Sequence, residues 1–162
     1  MKELVLFLDF DGVLNCADDG FGRDFDSRLN TSLVNRLCDF LDELNSEFNI
    51  KVVVSSAWKM MLDKDDFLKR LKRHQEIKRL TDIISDITPT SHCCSKNTRG
   101  FEIEMYINSN YNYHNLDNYV FLSIDDEKVE TPHMSFVKHF RTNVSKGLMS
   151  YDVDKLKKIL KE

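Results

Sequence analysis

The chain has 162 residues, of which 41% are hydrophobic and 31% are charged, a composition typical of a single soluble globular domain. The formal net charge of −4 provides no basic surface for nucleic acid, which weakens a polynucleotide ligand without excluding it. The sequence contains no signal segment and no apolar run of membrane-spanning length. We therefore expect a cytoplasmic protein with one domain over residues 1–162.

The first predicted element is a strand over residues 4–8, where five consecutive apolar residues indicate burial on both faces. Asp9 and Asp11 follow it and point to the same side of an extended segment, and Gly12 lets the chain turn away. Neighbouring carboxylates repel each other, and Mg²⁺, which prefers oxygen ligands, would relieve that repulsion. The alternative is a surface turn in which both carboxylates are only solvated.

A loop and a helix connect this strand to the next. Residues 16–26 contain Gly, Asp and Phe without periodicity and predict a short flap. From Ser27 onward, apolar residues recur at three- and four-residue steps, which predicts an amphipathic helix capped at Asn30 or Thr31.

The second predicted strand, over residues 50–54, ends at Ser55 and Ser56. Because open parallel sheets bind ligands at the carboxyl ends of their strands, we expect Ser55 on the same edge as Asp9 and Asp11. An equally good local interpretation is that the serines cap the next helix. We interpret Trp58 as a core residue, with the mouth of a pocket as the alternative.

The middle of the chain predicts three further elements. Residues 64–80 form a charged helix with a basic outer face, and residues 83–87 a weaker strand. A polar loop over residues 88–98 precedes a helix over residues 99–108.

The last third predicts a buried strand over residues 119–124 that ends at Asp125 and Asp126. A third acidic position at a strand end favours metal binding, since Asp125 would otherwise be an unexplained carboxylate beside two others. Residues 136–140 predict an edge strand and residues 152–160 a final helix.

This alternation of strands and helices predicts an α/β fold, a doubly wound, mainly parallel five-stranded sheet flanked by helices. Receiver domains of response regulators also gather acidic residues and a hydroxyl at strand ends. Their acidic pair and their phosphorylated Asp lie on different strands, however, whereas here Asp9 and Asp11 follow the same strand.

Residues 9–14 resemble the first motif of the haloacid dehalogenase-like (HAD) phosphohydrolase superfamily. Nearly the whole chain resembles the compact HAD domain associated with RNA-repair proteins. The likeness lies in four segments, residues 7–15, 53–58, 99–103 and 125–126.

The resemblance implies a Rossmann-like HAD fold and a Mg²⁺-dependent phosphatase that works through an aspartyl-phosphate. Asp9 would be the nucleophile and Asp11 the general acid and base. The Mg²⁺ ligands would be Asp9, the backbone carbonyl of Asp11, and Asp125.

The remaining site residues are also implied by the resemblance. Ser55 would hydrogen-bond the transferring phosphoryl group, and a cation, Lys96 or Arg99, would neutralise its charge. We favour Arg99 because it heads the helix and precedes a glycine. The predicted substrate-binding residues are Ser56, Gly12 and Asp126.

The loops over residues 16–26 and 88–98 are too short for the cap domain that HAD enzymes of small metabolites usually carry. We therefore expect an open site and a macromolecular substrate, either a phosphoprotein, including phosphotyrosine, or a nucleic-acid end. The net charge favours the phosphoprotein slightly, and the family likeness favours nucleic acid. The alternatives are a HAD-fold binding module without turnover and a small-nucleotide phosphatase.

Overall fold

The strand that carries Asp9 at its end lies in the middle of a five-stranded parallel sheet. The strands are β1 (Lys2–Leu8), β2 (Phe48–Val54), β3 (Ile84–Ile87), β4 (Tyr119–Asp125) and β5 (Val137–Arg141). Their order across the sheet is β3-β2-β1-β4-β5, and every pairing is parallel. This computed structural model describes residues 1–19, 29–61, 64–73, 75–91 and 97–162.

Five α-helices lie in the described residues: α1 (Thr31–Leu44), α2 (Lys64–Leu71), α3 (Lys78–Ile83), α4 (Thr98–Asn110) and α5 (Ser150–Lys161). Short 3₁₀ turns cover Ala17–Asp19, Ala57–Met61, Gln75–Ile77 and Tyr113–Asn118. The N-cap of α1 is Asn30, whose Oδ1 accepts hydrogen bonds from the backbone of Ser32 and Leu33 at 2.9 and 3.2 Å. The structure thus selects one of the two predicted caps.

The single helix predicted over residues 64–80 is wrong, because the segment forms α2 and α3 with a 3₁₀ turn before α3. Phe67 and Leu71 are four residues apart and share one helical face, as do Ile77 and Leu80, three apart. In a continuous helix, the six-residue step from Leu71 to Ile77 would rotate the side-chain direction by about 240°. Ile77 would then lie outside the apolar stripe that contains Leu71. In the structure α2 buries the first pair, and the 3₁₀ turn together with α3 buries the second.

The apolar core lies on both faces of the sheet, as the continuous apolar strands predict. On one face, Leu4, Leu6 and Leu8 of β1 pack among residues of α1, α2, α3 and α5. On the other face, Val5 and Phe7 pack against α4. This arrangement confirms the predicted α/β fold with helices flanking a parallel sheet.

The described residues include no domain inserted over the carboxyl edge of the sheet, in agreement with the predicted absence of a cap. The predicted flap and the start of the following helix fall partly on residues 20–28, which lie outside the described residues. None of the helices described is long and apolar enough to span a lipid bilayer.

Candidate active site

The carboxyl ends of the three central strands bring the predicted site residues together. Asp9 follows β1, and its backbone N–H donates to the carbonyl of Ile124 in β4 at 3.0 Å. Ser55 follows β2, and its N–H donates to the carbonyl of Leu8 in β1 at 2.8 Å. With Asp125 at the end of β4, a carboxylate, a hydroxyl and a second carboxylate lie at one edge, as predicted.

Three carboxylates form a compact acidic cluster at this edge. Asp9, Asp125 and Asp126 each offer one oxygen, and these oxygens lie within 4.8 Å of one another. A set of carboxylate oxygens suits a hard divalent cation such as Mg²⁺. Asp126, predicted to bind substrate, therefore lies among the potential metal ligands. The Asp11 carboxylate is not in the cluster found among the described residues, and its predicted metal contact through the backbone carbonyl stays a prediction.

Burial and mutual repulsion make this cluster costly to ionise. Burial, and next the charge of Asp9, raise the pKa of the Asp125 carboxyl well above its usual range. The same two causes, with Glu127, raise the pKa of Asp126 to about 6. The cluster therefore requires positive charge close by.

Arg99 supplies positive charge from the first turn of α4. Its Nη1 lies 3.1 Å from Asp9 Oδ1 and 3.1 Å from Asp125 Oδ2, and it donates to the backbone carbonyl of Ser55. Burial lowers the pKa of the guanidinium, but the charges of Asp9 and Asp125 outweigh that effect and raise it. This geometry supports Arg99 as the predicted cation. Lys96 lies outside the described residues, so its role stays untested.

A close approach between α4 and a loop positions Arg99. A Cβ on Gly100 would lie 1.8 Å from the carbonyl oxygen of Glu130, so only glycine lets the helix start here. The Asn97 side chain also holds Glu130, because it donates to the Glu130 carbonyl at 2.6 Å and accepts its N–H at 3.2 Å.

The two serines after β2 have different environments. The Ser55 hydroxyl is buried and has no hydrogen-bond partner among the described residues. The Ser56 Oγ accepts the backbone N–H of Trp58 at 3.4 Å. The capping interpretation thus applies to Ser56, which was predicted to bind substrate, whereas the Ser55 hydroxyl is a buried polar group without a partner among the described residues at the same sheet edge.

Lys59, which the sequence analysis missed, is a buried cation beside the site. Its Nζ donates to Thr88 Oγ1 at 2.7 Å, to the Pro89 carbonyl at 2.9 Å and to Glu102 Oε2 at 2.5 Å. Burial lowers the pKa of this amine, and the contact with Glu102 opposes that shift. No local pattern signals this pair, because its members are far apart in the sequence.

Asp11 lies in a separate set of contacts beside the cluster. The Trp58 Nε1–H donates to Asp11 Oδ2 at 2.8 Å, and the Asn15 Nδ2–H donates to Asp11 Oδ1 at 2.7 Å. The Trp58 side chain is buried, so the core interpretation is correct, but its N–H also contacts a predicted catalytic residue. Gly12 adopts a φ of +68°, and a Cβ there would lie 2.5 Å from the Cβ of Asp126. Glycine at this turn therefore lets Asp126 approach the Asp11 loop.

A cavity of about 300 Å³ lies beside Arg99. This volume is at the lower end of the range for small-molecule pockets. The wall includes Ser56, Lys59, Met60, Asn97, Arg99 and Lys128.

A parallel sheet of this strand order, with acidic residues after the central strand and at the end of its neighbour, defines the HAD-like class of α/β domains. The family model described as the HAD domain in Swiss Army Knife RNA repair proteins matches residues 5–153. The chain belongs to this family, which confirms the predicted resemblance. The comparison with curated proteins gives no match.

Proposed function

We propose that this chain is a Mg²⁺-dependent phosphomonoester hydrolase that works through an aspartyl-phosphate on Asp9. One observation carries the proposal: the buried Ser55 hydroxyl has no partner among the described residues, and it lies at the same sheet edge as the acidic cluster and Arg99. A hydroxyl donor and a guanidinium beside a metal-compatible carboxylate set match the needs of a phosphoryl group.

In the proposed first step, an Asp9 carboxylate oxygen attacks phosphorus while the bond from phosphorus to the leaving oxygen breaks. Asp11 donates its proton to that oxygen, which leaves as an alcohol or a phenol. In the second step, Asp11 accepts a proton from water as the water oxygen attacks phosphorus. The bond from phosphorus to Asp9 then breaks, which releases inorganic phosphate and restores the Asp9 carboxylate.

The chain supplies the charge stabilisation that this chemistry needs. The Ser55 hydroxyl would donate to one phosphoryl oxygen, and the Arg99 guanidinium would offset the charge of the others. Asp9, Asp125 and Asp126 would hold Mg²⁺, which would screen the nucleophile from an anionic substrate.

We propose a phosphate on a macromolecule as the substrate. The described residues include no domain inserted over the sheet edge, which supports a substrate larger than a small metabolite, such as a phosphorylated side chain or a strand end. The net charge of −4 favours a phosphoprotein, and the RNA-repair proteins named in the family description favour a nucleic-acid end. Comparing kcat/KM for phosphopeptides and end-phosphorylated oligonucleotides with that for free phosphotyrosine and mononucleotides tests this choice. A clear preference for a free small metabolite would contradict it.

The activity itself is tested by hydrolysis of p-nitrophenyl phosphate with Mg²⁺ and with EDTA. We expect turnover only with Mg²⁺, and loss of turnover in Asp9→Asn with the fold retained, because the amide cannot act as the nucleophile. Asp117→Asn, an exposed carboxylate in the Tyr113–Asn118 turn, is the matched control. If Asp9→Asn kept more than a few per cent of the activity, Asp9 would not be the nucleophile. A wild-type chain without turnover would instead favour the binding module.

A further inference from the structure

The Asp11 carboxylate is held at both of its oxygens by neutral N–H donors. Trp58 Nε1 lies 2.8 Å from Oδ2, and Asn15 Nδ2 lies 2.7 Å from Oδ1. Each carboxylate oxygen has two lone-pair sites, so one site on each oxygen stays available for a proton. The two contacts fix the plane of the carboxylate without using its capacity to carry that proton.

Both donors are themselves held in place. The Trp58 indole is 2% exposed and packs edge-to-face on Phe10, with ring centroids 5.3 Å apart at 88°. Phe10 in turn stacks on Phe67 of α2 at 6.1 Å. The buried Asn15 accepts the Gly12 N–H through Oδ1 at 2.8 Å, which orients its amide so that Nδ2 faces Asp11. Neither donor needs to reorganise to keep its contact.

We propose that Trp58 and Asn15 are positioning residues that hold the Asp11 carboxylate in the orientation for proton transfer to the leaving group. This inference rests on the proposed function, in which Asp11 is the general acid. Proton transfer depends steeply on the geometry of the donor, so loss of one contact should slow the step that uses the proton. Truncation of a tryptophan that only fills the core would instead lower the activity on every substrate alike.

The test compares two variants that each remove one N–H donor to Asp11. Trp58→Phe keeps an aromatic ring, although a smaller one, and loses the donor. Asn15→Asp keeps the oxygen that accepts from Gly12 and loses the amide donor, but it places a second carboxyl beside Asp11, so its result counts only together with that of Trp58→Phe. Tyr106→Phe is the matched control, because it also removes a buried aromatic donor from a carboxylate, Asp86, at 3.0 Å, away from the site. Thermal unfolding shows that each variant is folded.

Two aryl phosphates separate positioning from a structural role, because their leaving groups differ in the need for a proton. Phenyl phosphate releases phenol, a poor leaving group, and p-nitrophenyl phosphate releases a much better one. We expect Trp58→Phe and Asn15→Asp to lower kcat/KM for phenyl phosphate about tenfold or more, and for p-nitrophenyl phosphate less than about threefold. Tyr106→Phe should change neither value.

A second readout does not depend on turnover. Trp58 is the single tryptophan of the chain, so its indole N–H gives one resonance in a ¹H–¹⁵N spectrum. We expect this resonance to lie downfield in the wild type and to move upfield in Asp11→Ala, because the carboxylate acceptor is lost. An unchanged resonance would overturn the contact and with it the inference.

The outcomes distinguish this inference from the proposed function. Equal losses on both substrates in folded Trp58→Phe and Asn15→Asp would mean that the two residues only support the fold, while the phosphatase assignment stands. A wild-type chain that hydrolyses neither substrate would refute the proposed function and the positioning role together. Losses concentrated on phenyl phosphate, with the upfield shift, would support the inference.

Discussion

Lys59, which is buried, and Arg99, which is partly buried, are two cations beside the same cavity, and they differ in how their hydrogen-bond donors are used. The Lys59 side chain is 2% exposed, and protein acceptors on Thr88, Pro89 and Glu102 take its three donor positions. The Arg99 side chain is 17% exposed and faces Asp9 and Asp125. A cation whose donors all bind acceptors inside the protein stabilises the fold. A cation that faces reactive carboxylates can also bind a ligand.

Glu102 connects the two cations. It lies one turn after Arg99 on α4, accepts from Lys59 through Oε2, and accepts the Ser91 N–H through Oε1 at 2.8 Å. Its charge also contributes to the raised pKa of Arg99. The Lys59–Glu102 pair thus fixes the N-terminal part of α4 against the loops after β2 and β3, and this part of the helix carries Arg99.

The largest expected effect is the loss of activity in Arg99→Ala. Removal of a preorganised charge from the phosphoryl site should lower kcat about 10²–10³-fold, while Arg99→Lys should retain part of it. Turnover of p-nitrophenyl phosphate with saturating Mg²⁺ measures the difference. Lys96→Ala is the comparison variant, and a far larger loss there than in Arg99→Ala would show that Lys96 is the essential cation.

Lys59→Met should act mainly on the stability of the fold, and on catalysis only through the fold. Removing one member of a buried ion pair leaves the Glu102 carboxylate without its counter-ion, which we expect to lower the free energy of unfolding by about 3–5 kcal/mol. The double variant Lys59→Met/Glu102→Gln should recover much of the loss. Urea unfolding measures both, with Lys78→Met from an exposed ion pair as the control. If the double variant were no more stable than Lys59→Met, the cost would not arise from the uncompensated carboxylate.

A smaller effect, on the free energy of unfolding, is expected when the pH is changed. Because burial raises the pKa values of Asp125 and Asp126, the folded chain binds more protons than the unfolded chain above the usual carboxyl pKa of 3.8. The free energy of unfolding of the metal-free protein should therefore fall as pH rises through about 6, the pKa of Asp126, and further as Asp125 ionises.

Mg²⁺ favours the ionised carboxylates, so it should raise the Tm more at about pH 8 than at about pH 5. Thermal unfolding with and without MgCl₂ at both pH values measures this difference. Asp125→Asn should remove most of the increase at the higher pH. An equal increase at both values would show that Mg²⁺ does not bind this cluster.

The sequence predicted the parts of the site that depend on local pattern. An apolar run followed by Asp9 and Asp11, a β-branched run followed by Ser55, and a third run followed by Asp125 each define a strand and its end. Parallel pairing then brings those ends together, which the structure confirms.

The contacts that the sequence does not predict depend on tertiary packing. Lys59 meets Glu102 only because α4 packs beside the loop after β2, and no spacing in the sequence shows this. Burial of Trp58 was predicted, but the direction of its N–H follows from packing on Phe10. The break between α2 and α3 follows from the six-residue spacing between Leu71 and Ile77, which a single apolar stripe of 64–80 does not accommodate.

The central position of β1 also affects how the chain folds. Residues Leu4 to Leu8 are completely buried, yet β1 has β2 on one side and β4, from far along the chain, on the other. Until β4 pairs, a partly folded chain exposes an apolar strand edge, which is prone to association with other chains. Closing so long a loop is slow, and it alone brings Asp125 beside Asp9. During refolding, the acidic cluster is therefore complete only after β4 has joined the sheet, however early α1 and β2 form.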